Sequence, residues 1–239
     1  MDIQGQENQL ILAFPDREVR CLDTADNRIN RMLERSNISI IGNNNRVLLH
    51  FESEDSAEEL LTGAGFLLIV KGDGNEVDMG TVIVRCSSIL GMIGQLPGLG
   101  AGVSRTANGC SVTIGDRVVI NGVTLYLQED HSRVSIGDDS QLSWGVDVWC
   151  TDAHTITDLE GNPVNYAESI EIGRHVWVGK DVKIGKNVRI ADNSIVGWGS
   201  IVTKRFDEPN VILAGTPAKI VKRGINWDRK CINKYAKGL

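Results

Sequence analysis

From Ile172 to Val202 an aliphatic residue stands at every sixth position: Ile172, Val178, Ile184, Ile190, Val196 and Val202. Two residues before each stands Ile170, Val176, Val182, Val188, Ser194 or Ser200, and glycine follows the aliphatic at Gly173, Gly179, Gly185 and Gly197. A period of six fits neither the helical period of 3.6 nor the two-residue alternation of a strand. It marks a solenoid wound from hexapeptides, each a short strand and a corner, with three making one triangular turn. The aliphatic side chains then point inward, the small residue sits near a corner, and glycine supplies backbone angles that a β-carbon hinders. A sandwich of amphipathic strands would not hold that register through six units, so the chain is expected to be an all-β solenoid, a parallel β-helix with short helical end pieces.

The repeat extends upstream with interruptions. Val112, Ile114, Val118 and Ile120 fit one stretch, and Val134, Ile136, Ser140, Leu142, Val146 and Val148 another. Residues 38–50 and 74–84 read as early, irregular coils. Within 1–35, Ile29, Met32 and Leu33 have helical spacing, which suggests a helix capping the open end. The expected organisation is an N-terminal cap segment over 1–35, a β-helix over 36–210 and a C-terminal closing segment over 211–239. Three insertions interrupt the β-helix. Residues 53–63 carry helix-capping residues and end in glycine. Residues 91–111 are glycine-rich but fit neither a dinucleotide fingerprint nor a P-loop. The third insertion is 155–169.

Composition narrows the function. The chain has 239 residues and suits one elongated domain, and only 5% are aromatic, as befits a prism filled with Val and Ile. A net charge of −6 argues against nucleic-acid binding. The charge is uneven: residues 172–239 carry +9 and residues 1–171 carry −15, so the C-terminal end suits an anionic ligand. Five widely spaced cysteines form neither a metal pair nor a disulfide framework, which points to a reducing, cytoplasmic setting. The first residues, MDIQGQENQL, lack the pattern of a signal peptide, and no apolar stretch reaches the ~20 residues of a membrane span.

His154 breaks the register. The positions of Ile136, Leu142 and Val148 call for an aliphatic at 154, yet histidine stands there, at the entry to the irregular stretch TITDLEGNPVNYAES. The loop backbone could satisfy such a histidine, or it could serve as a base at the mouth of a cleft.

Residues 146–222 contain in order TDAH (151–154), VWVG (176–179), SIVTK (200–204) and AGTPAK (214–219). That succession strongly resembles the hexapeptide-repeat acyltransferases, most of all the O-acetyltransferases of bacterial capsular and other surface polysaccharides. The resemblance extends over 120–145. It implies a left-handed parallel β-helix, a homotrimer with active sites between subunits, and acetyl-CoA as acyl donor to a sugar or polysaccharide hydroxyl. It implies His154 as general base, with Asp152 the nearest residue in sequence that could orient its ring. Trp177 matches a tryptophan whose indole N–H serves near the thioester, but packing and cofactor stacking stay open for it. The N–H of Gly179 is another candidate for the oxyanion donor. Gly197, Trp198, Ser200, Thr203 and Lys204 match positions lining the pantetheine arm and phosphates, and Lys219 and Lys222 match basic residues near the nucleotide. Trp198 departs from the more usual alanine, so the contact at that position is open.

No serine or cysteine nucleophile is needed, and Ser143 and Cys150 read as corner and packing residues. Other readings remain. A small-molecule acceptor such as an antibiotic or amino sugar would use the same donor machinery, and a non-catalytic β-helix scaffold would use none of it. A metalloenzyme like the γ-class carbonic anhydrases needs three histidine ligands, two close in sequence. The spacings of 81, 23 and 21 between His50, His131, His154 and His175 do not provide them, so no metal is expected.

Overall fold

The computed structural model describes residues 1–63, 66–86, 88–93 and 106–235. Among these residues the strands form three sheets of eight, eight and seven strands. Successive strands pass from sheet to sheet in turn. Arg133–Ile136 lies in the second sheet, Gln141–Leu142 in the third and Val146–Cys150 in the first; Ser169–Ile172, Trp177–Val178 and Lys183–Ile184 then repeat the order.

The hexapeptide explains the pairing. Glu171 faces Arg189, Trp177 faces Ile195 and Lys183 faces Ile201, all parallel and all three hexapeptides apart. One turn earlier Arg133 faces Ser169 and Asp147 faces Lys183, twice that separation, because residues 151–168 leave the regular path between Val146–Cys150 and Ser169–Ile172. The register is kept on both sides of this excursion. Ile172, Val178, Ile184, Ile190, Val196 and Val202 are all buried, as are the residues two positions before each. Burying a side chain of this kind contributes about 1.5–3 kcal/mol, which is the force holding the register.

The glycines act differently from the expectation. Positive φ falls not at Gly173 or Gly179 but two residues on, at His175 and Asp181. Gly173 and Gly179 instead face the next turn at close range. A β-carbon at Gly173 would stand 2.4 Å from Asp192 Oδ1, and one at Gly179 would stand 2.7 Å from the Val196 carbonyl oxygen and from Trp198 Cδ1.

The ends depart from the parallel rule. Gln9–Ala13 pairs antiparallel with Glu18–Arg20, and Val211–Gly215 with Ala218–Arg223. Segment 1–35 contributes strands Asp2–Gln4 and Gln9–Ala13 to two sheets before helix Asn27–Arg35, whose Ile29, Met32 and Leu33 are buried. Asp26 caps that helix by accepting from the Arg28 and Ile29 N–H groups. Residues 53–63 form helix Glu54–Thr62 with its flanking caps Ser53 and Gly63, and Arg28 bonds to Glu54, Asp55 and Glu58 across the two helices. Of the glycine-rich stretch 91–111, residues 91–93 belong to strand Ser88–Ile93, while 94–105 lie outside the described residues. No helix among the described residues is long and apolar enough to cross a membrane.

After the last hairpin the chain turns back along one corner of the coil. Ile225 exchanges bonds with Asn210, Trp227 stacks on His175, and Arg229 donates to the carbonyls of Asp139, Ser140 and Arg117. The closing segment is thus a strap across several turns.

Candidate functional site

The site grows from one corner, between the first and second sheets. At the early turns this corner is a four-residue Gly-x-x-Asn turn: 5–8, 42–45 and 72–75. The buried asparagines form a ladder. Asn45 Nδ2 donates to Asn8 Oδ1 (3.1 Å) and to the Gly72 carbonyl (2.8 Å), Asn45 Oδ1 accepts from Asn75 N (2.9 Å), and Asn75 Oδ1 accepts from Cys110 N (3.0 Å). A second ladder runs beside it. The amides of Gln6, Asn43, Asp73 and Asn108 donate to side-chain oxygens of Asn43, Asp73, Asn108 and Asp130 in the next turn.

At 129–132 the corner reads Glu-Asp-His-Ser, and here the ladder meets the excursion. Glu129 takes over with its side chain. Its two carboxylate oxygens accept from Thr151 Oγ1 (3.0 Å) and from the Ala167 amide (2.8 Å), the two ends of the excursion. Thr151 Oγ1 in turn accepts from the Ala153 amide at 2.8 Å. Within the loop, Asn165 donates to Asp152 (2.8 Å) and to the His154 carbonyl (2.9 Å), and accepts from the Ile156 amide (2.8 Å). Lys186, from the next turn of the same corner, reaches Asp152 and the Asn165 carbonyl.

His154 sits in this frame. It is exposed and lines a pocket of ≈ 270 Å³ with Glu129, Thr151, Thr155, Asn165 and Tyr166 among its walls. Asp152 is engaged by Lys186 and Asn165. Burial pushes its pKa up, but the bonds from Lys186 and Asn165 override that and hold the carboxyl below its ordinary value. Cys150 lies beneath, buried, and desolvation pushes its thiol up to about 12, so it is no nucleophile at neutral pH.

Trp177 stands elsewhere, on the third sheet, and does not line the His154 pocket. Its indole N–H points to Ser143 Oγ at 3.4 Å, and its ring lies 5.9 Å from that of Trp227. Trp227 is locked to His175 by a stack at 4.4 Å and by its indole N–H on the His175 carbonyl at 2.7 Å.

The residues matched to the donor fall in three groups. Gly179, Gly197, Trp198 and Ser200 share the corner between the third and first sheets, with Trp198 75% exposed. The Ser200 hydroxyl is used internally, donating to the Gly197 carbonyl (2.7 Å) and accepting from the Gly215 amide (3.2 Å). Thr203 and Lys204 are exposed on the same corner as His154, two turns on, with Lys204 Nζ 5.4 Å above the Phe206 ring. Lys219 and Lys222 are exposed on the final hairpin. Among the described residues no group of three or more His, Cys, Asp or Glu could hold a metal ion.

Sequence reasoning missed Glu129, Asn165, Lys186 and Trp227. The Gly-x-x-Asn turns were a readable signal for the corner on which Glu129 lies. Trp227 had none, because its partner is 52 residues away.

No family model matches the chain. Among curated proteins it is similar to a polysialic acid O-acetyltransferase of Escherichia coli O1:K1 / APEC, 34% identical over 142 residues covering 54% of this chain and 45% of that protein. It is also similar to galactoside O-acetyltransferase of Escherichia coli strain K12, 36% identical over 114 residues covering 48% of this chain and 55% of that protein. The chain spans about half the length of these curated relatives. Among solved structures, the polySia-specific acetyltransferase NeuO matches 100% of this chain and 97% of its own, with a TM-score of 0.66 and 24% identity, a likeness of fold.

Proposed function

We propose that this protein is an O-acetyltransferase that moves an acetyl group from acetyl-CoA to a hydroxyl of a sugar or surface polysaccharide. The observation that carries the reading is His154, an exposed imidazole on a pocket wall at the mouth of an excursion from an otherwise regular coil. The relatives named for acetyl transfer to polysialic acid and to galactosides support it.

A sugar hydroxyl attacks a thioester only as its proton leaves. His154 takes that proton as the oxygen–carbon bond forms, and an indole or backbone N–H steadies the oxyanion of the tetrahedral intermediate. Collapse breaks the carbon–sulfur bond, and the imidazolium returns the proton to the departing thiolate. Trp177 and the N–H of Gly179 are the donors in this reading.

Trp177 and the His154 pocket belong to different faces of one chain, so the reading requires that a neighbouring copy bring them together. A homotrimer of left-handed β-helices does this, with three sites between subunits. The donor then lies along Gly179, Gly197, Trp198, Thr203 and Lys204, with its phosphates near Lys219 and Lys222. Ser200, whose hydroxyl is bonded within the chain, shapes that corner from inside. The buried, unpaired thiols Cys21, Cys110 and Cys150 support a reducing, cytoplasmic setting.

The test is turnover of acetyl-CoA against a panel of monosaccharides, galactosides and polysialic acid, with wild type and His154→Ala. The variant is expected to lose 10²–10⁴-fold in kcat, the usual contribution of a positioned base, with CoA binding intact. Unchanged kcat with the best acceptor would remove His154 from the chemistry. Sedimentation as a monomer would remove the shared site.

A further inference from the structure

We infer that Glu129 is a positioning residue for His154: its carboxylate closes the base of the 152–166 excursion, and turnover depends on that closure. The inference rests on the reading of His154 as the base.

The geometry is that of a clasp. At the earlier turns of this corner, each turn is bonded to the next by backbone and by Asn or Asp side chains. After the turn holding Glu129, the chain passes Ala153, whose φ of 61° matches the 62° of His131 one turn before, and then runs out into the excursion before Glu168 returns to accept from the Arg133 amide at 2.9 Å. Two groups from opposite ends of the excursion meet on one carboxylate: the Thr151 hydroxyl at 3.0 Å and the Ala167 amide at 2.8 Å. They lie 22 and 38 residues from Glu129, and the excursion runs between them.

From Thr151 the connection continues to the Ala153 amide, adjacent to His154. From Ala167 it continues through the following residue, whose amide donates to Asn187 Oδ1 at 2.8 Å in the next turn. The His154 carbonyl itself is held by Asn165, near the Ala167 end. The histidine therefore hangs between two arms that meet at Glu129, and the same carboxylate stands in the wall of its pocket. A base placed an ångström out of line loses much of its effect, so a clasp on the loop ends acts on catalysis without touching substrate.

The substitutions separate geometry from charge. Glu129→Ala removes both arms. Glu129→Gln keeps an oxygen for the Ala167 amide, and its –NH₂ can donate to Thr151 Oγ1, so the clasp survives while the charge is lost. The expected result for Glu129→Ala is a kcat at least about 10-fold lower, with KM for acetyl-CoA within about two-fold of wild type. Amide exchange at Ala153 and Ile156, on either side of His154, should accelerate along with that of Ala167. Glu129→Gln should restore most of kcat and of the protection.

Three results would overturn the inference: full turnover in Glu129→Ala, unchanged exchange at Ala153 and Ile156, or a Glu129→Gln variant as impaired as Glu129→Ala, which would assign the effect to charge. The exchange measurement needs no acceptor and no active base. If His154→Ala keeps wild-type turnover, the proposed function fails at that step, while exchange still reports whether Glu129 holds the loop.

Discussion

Replacing Asn45 by alanine tests whether the corner ladder holds the early turns together. Asn45 is fully buried and makes three side-chain bonds: to Asn8 Oδ1, to the Gly72 carbonyl and from the Asn75 amide. Asn8 Oδ1 keeps the Asn45 backbone amide at 3.1 Å in the variant, so it is not orphaned. The Gly72 carbonyl and the Asn75 amide lose these partners in the interior of the corner. An orphaned buried polar group costs about 1–3 kcal/mol, so two give a loss of about 2–6 kcal/mol. That is roughly 30- to 10⁴-fold in the equilibrium constant, at about 1.4 kcal/mol per tenfold. With a urea m-value of about 3 kcal/mol/M, the midpoint should fall by roughly 0.7–2 M. Far-UV circular dichroism in urea measures the midpoint, and amide exchange at Asn75 measures the loss at its source. Turnover per folded molecule should be unchanged, since Asn45 lies on the same corner as His154 but several turns away. A loss below about 0.5 kcal/mol, or wild-type exchange at Asn75, would show that water replaces the side chain and that the ladder is not what holds these turns.

Three further outcomes are expected. Lys204→Ala and Lys219→Ala should each raise KM for acetyl-CoA several-fold and leave the acceptor KM alone; titration of CoA at rising salt checks this, with exposed charge contacts of up to ~1 kcal/mol each expected to weaken as screening grows. Asp152 has a lowered folded-state pKa, so its tie to Lys186 contributes stability above the ordinary aspartate value of about 3.9 and loses it as pH falls through the lower folded value. Amide exchange at Ile156, followed from pH 7 down through that range, should therefore show extra opening only below the ordinary aspartate value, and Lys186→Ala should make that pH-dependent opening smaller, because the folded value then lies closer to the ordinary one. Trp227→Ala removes a stack of about 0.5–1.5 kcal/mol and a hydrogen bond of about 1 kcal/mol, so the strap from 225 to 230 should become sensitive to limited proteolysis while far-UV dichroism stays as in wild type.

The six-residue period was enough to place the inward aliphatics from Ile172 to Val202, because burial in a regular coil is decided locally. Each hexapeptide repeats the same solution, and the solution is written in which positions are aliphatic. The break at His154 was legible for the same reason, as a polar residue where the register asks for an apolar one. The reason for glycine at 173 and 179 was not legible, because it lies in the corner of the next turn, which a Cβ would strike, and not in the residue's own backbone angles. The asparagine ladder was half legible: the Gly-x-x-Asn turns recur in the sequence, but at uneven spacings that hide their stacking. What only the tertiary structure decided are the contacts between residues far apart in the chain. Winding brings Glu129 to both ends of an excursion that begins 22 residues later, and folding back brings Trp227 onto His175 and beside Trp177. A single side chain that bonds across turns leaves no period in the sequence, so its partner becomes known only when the turns are stacked.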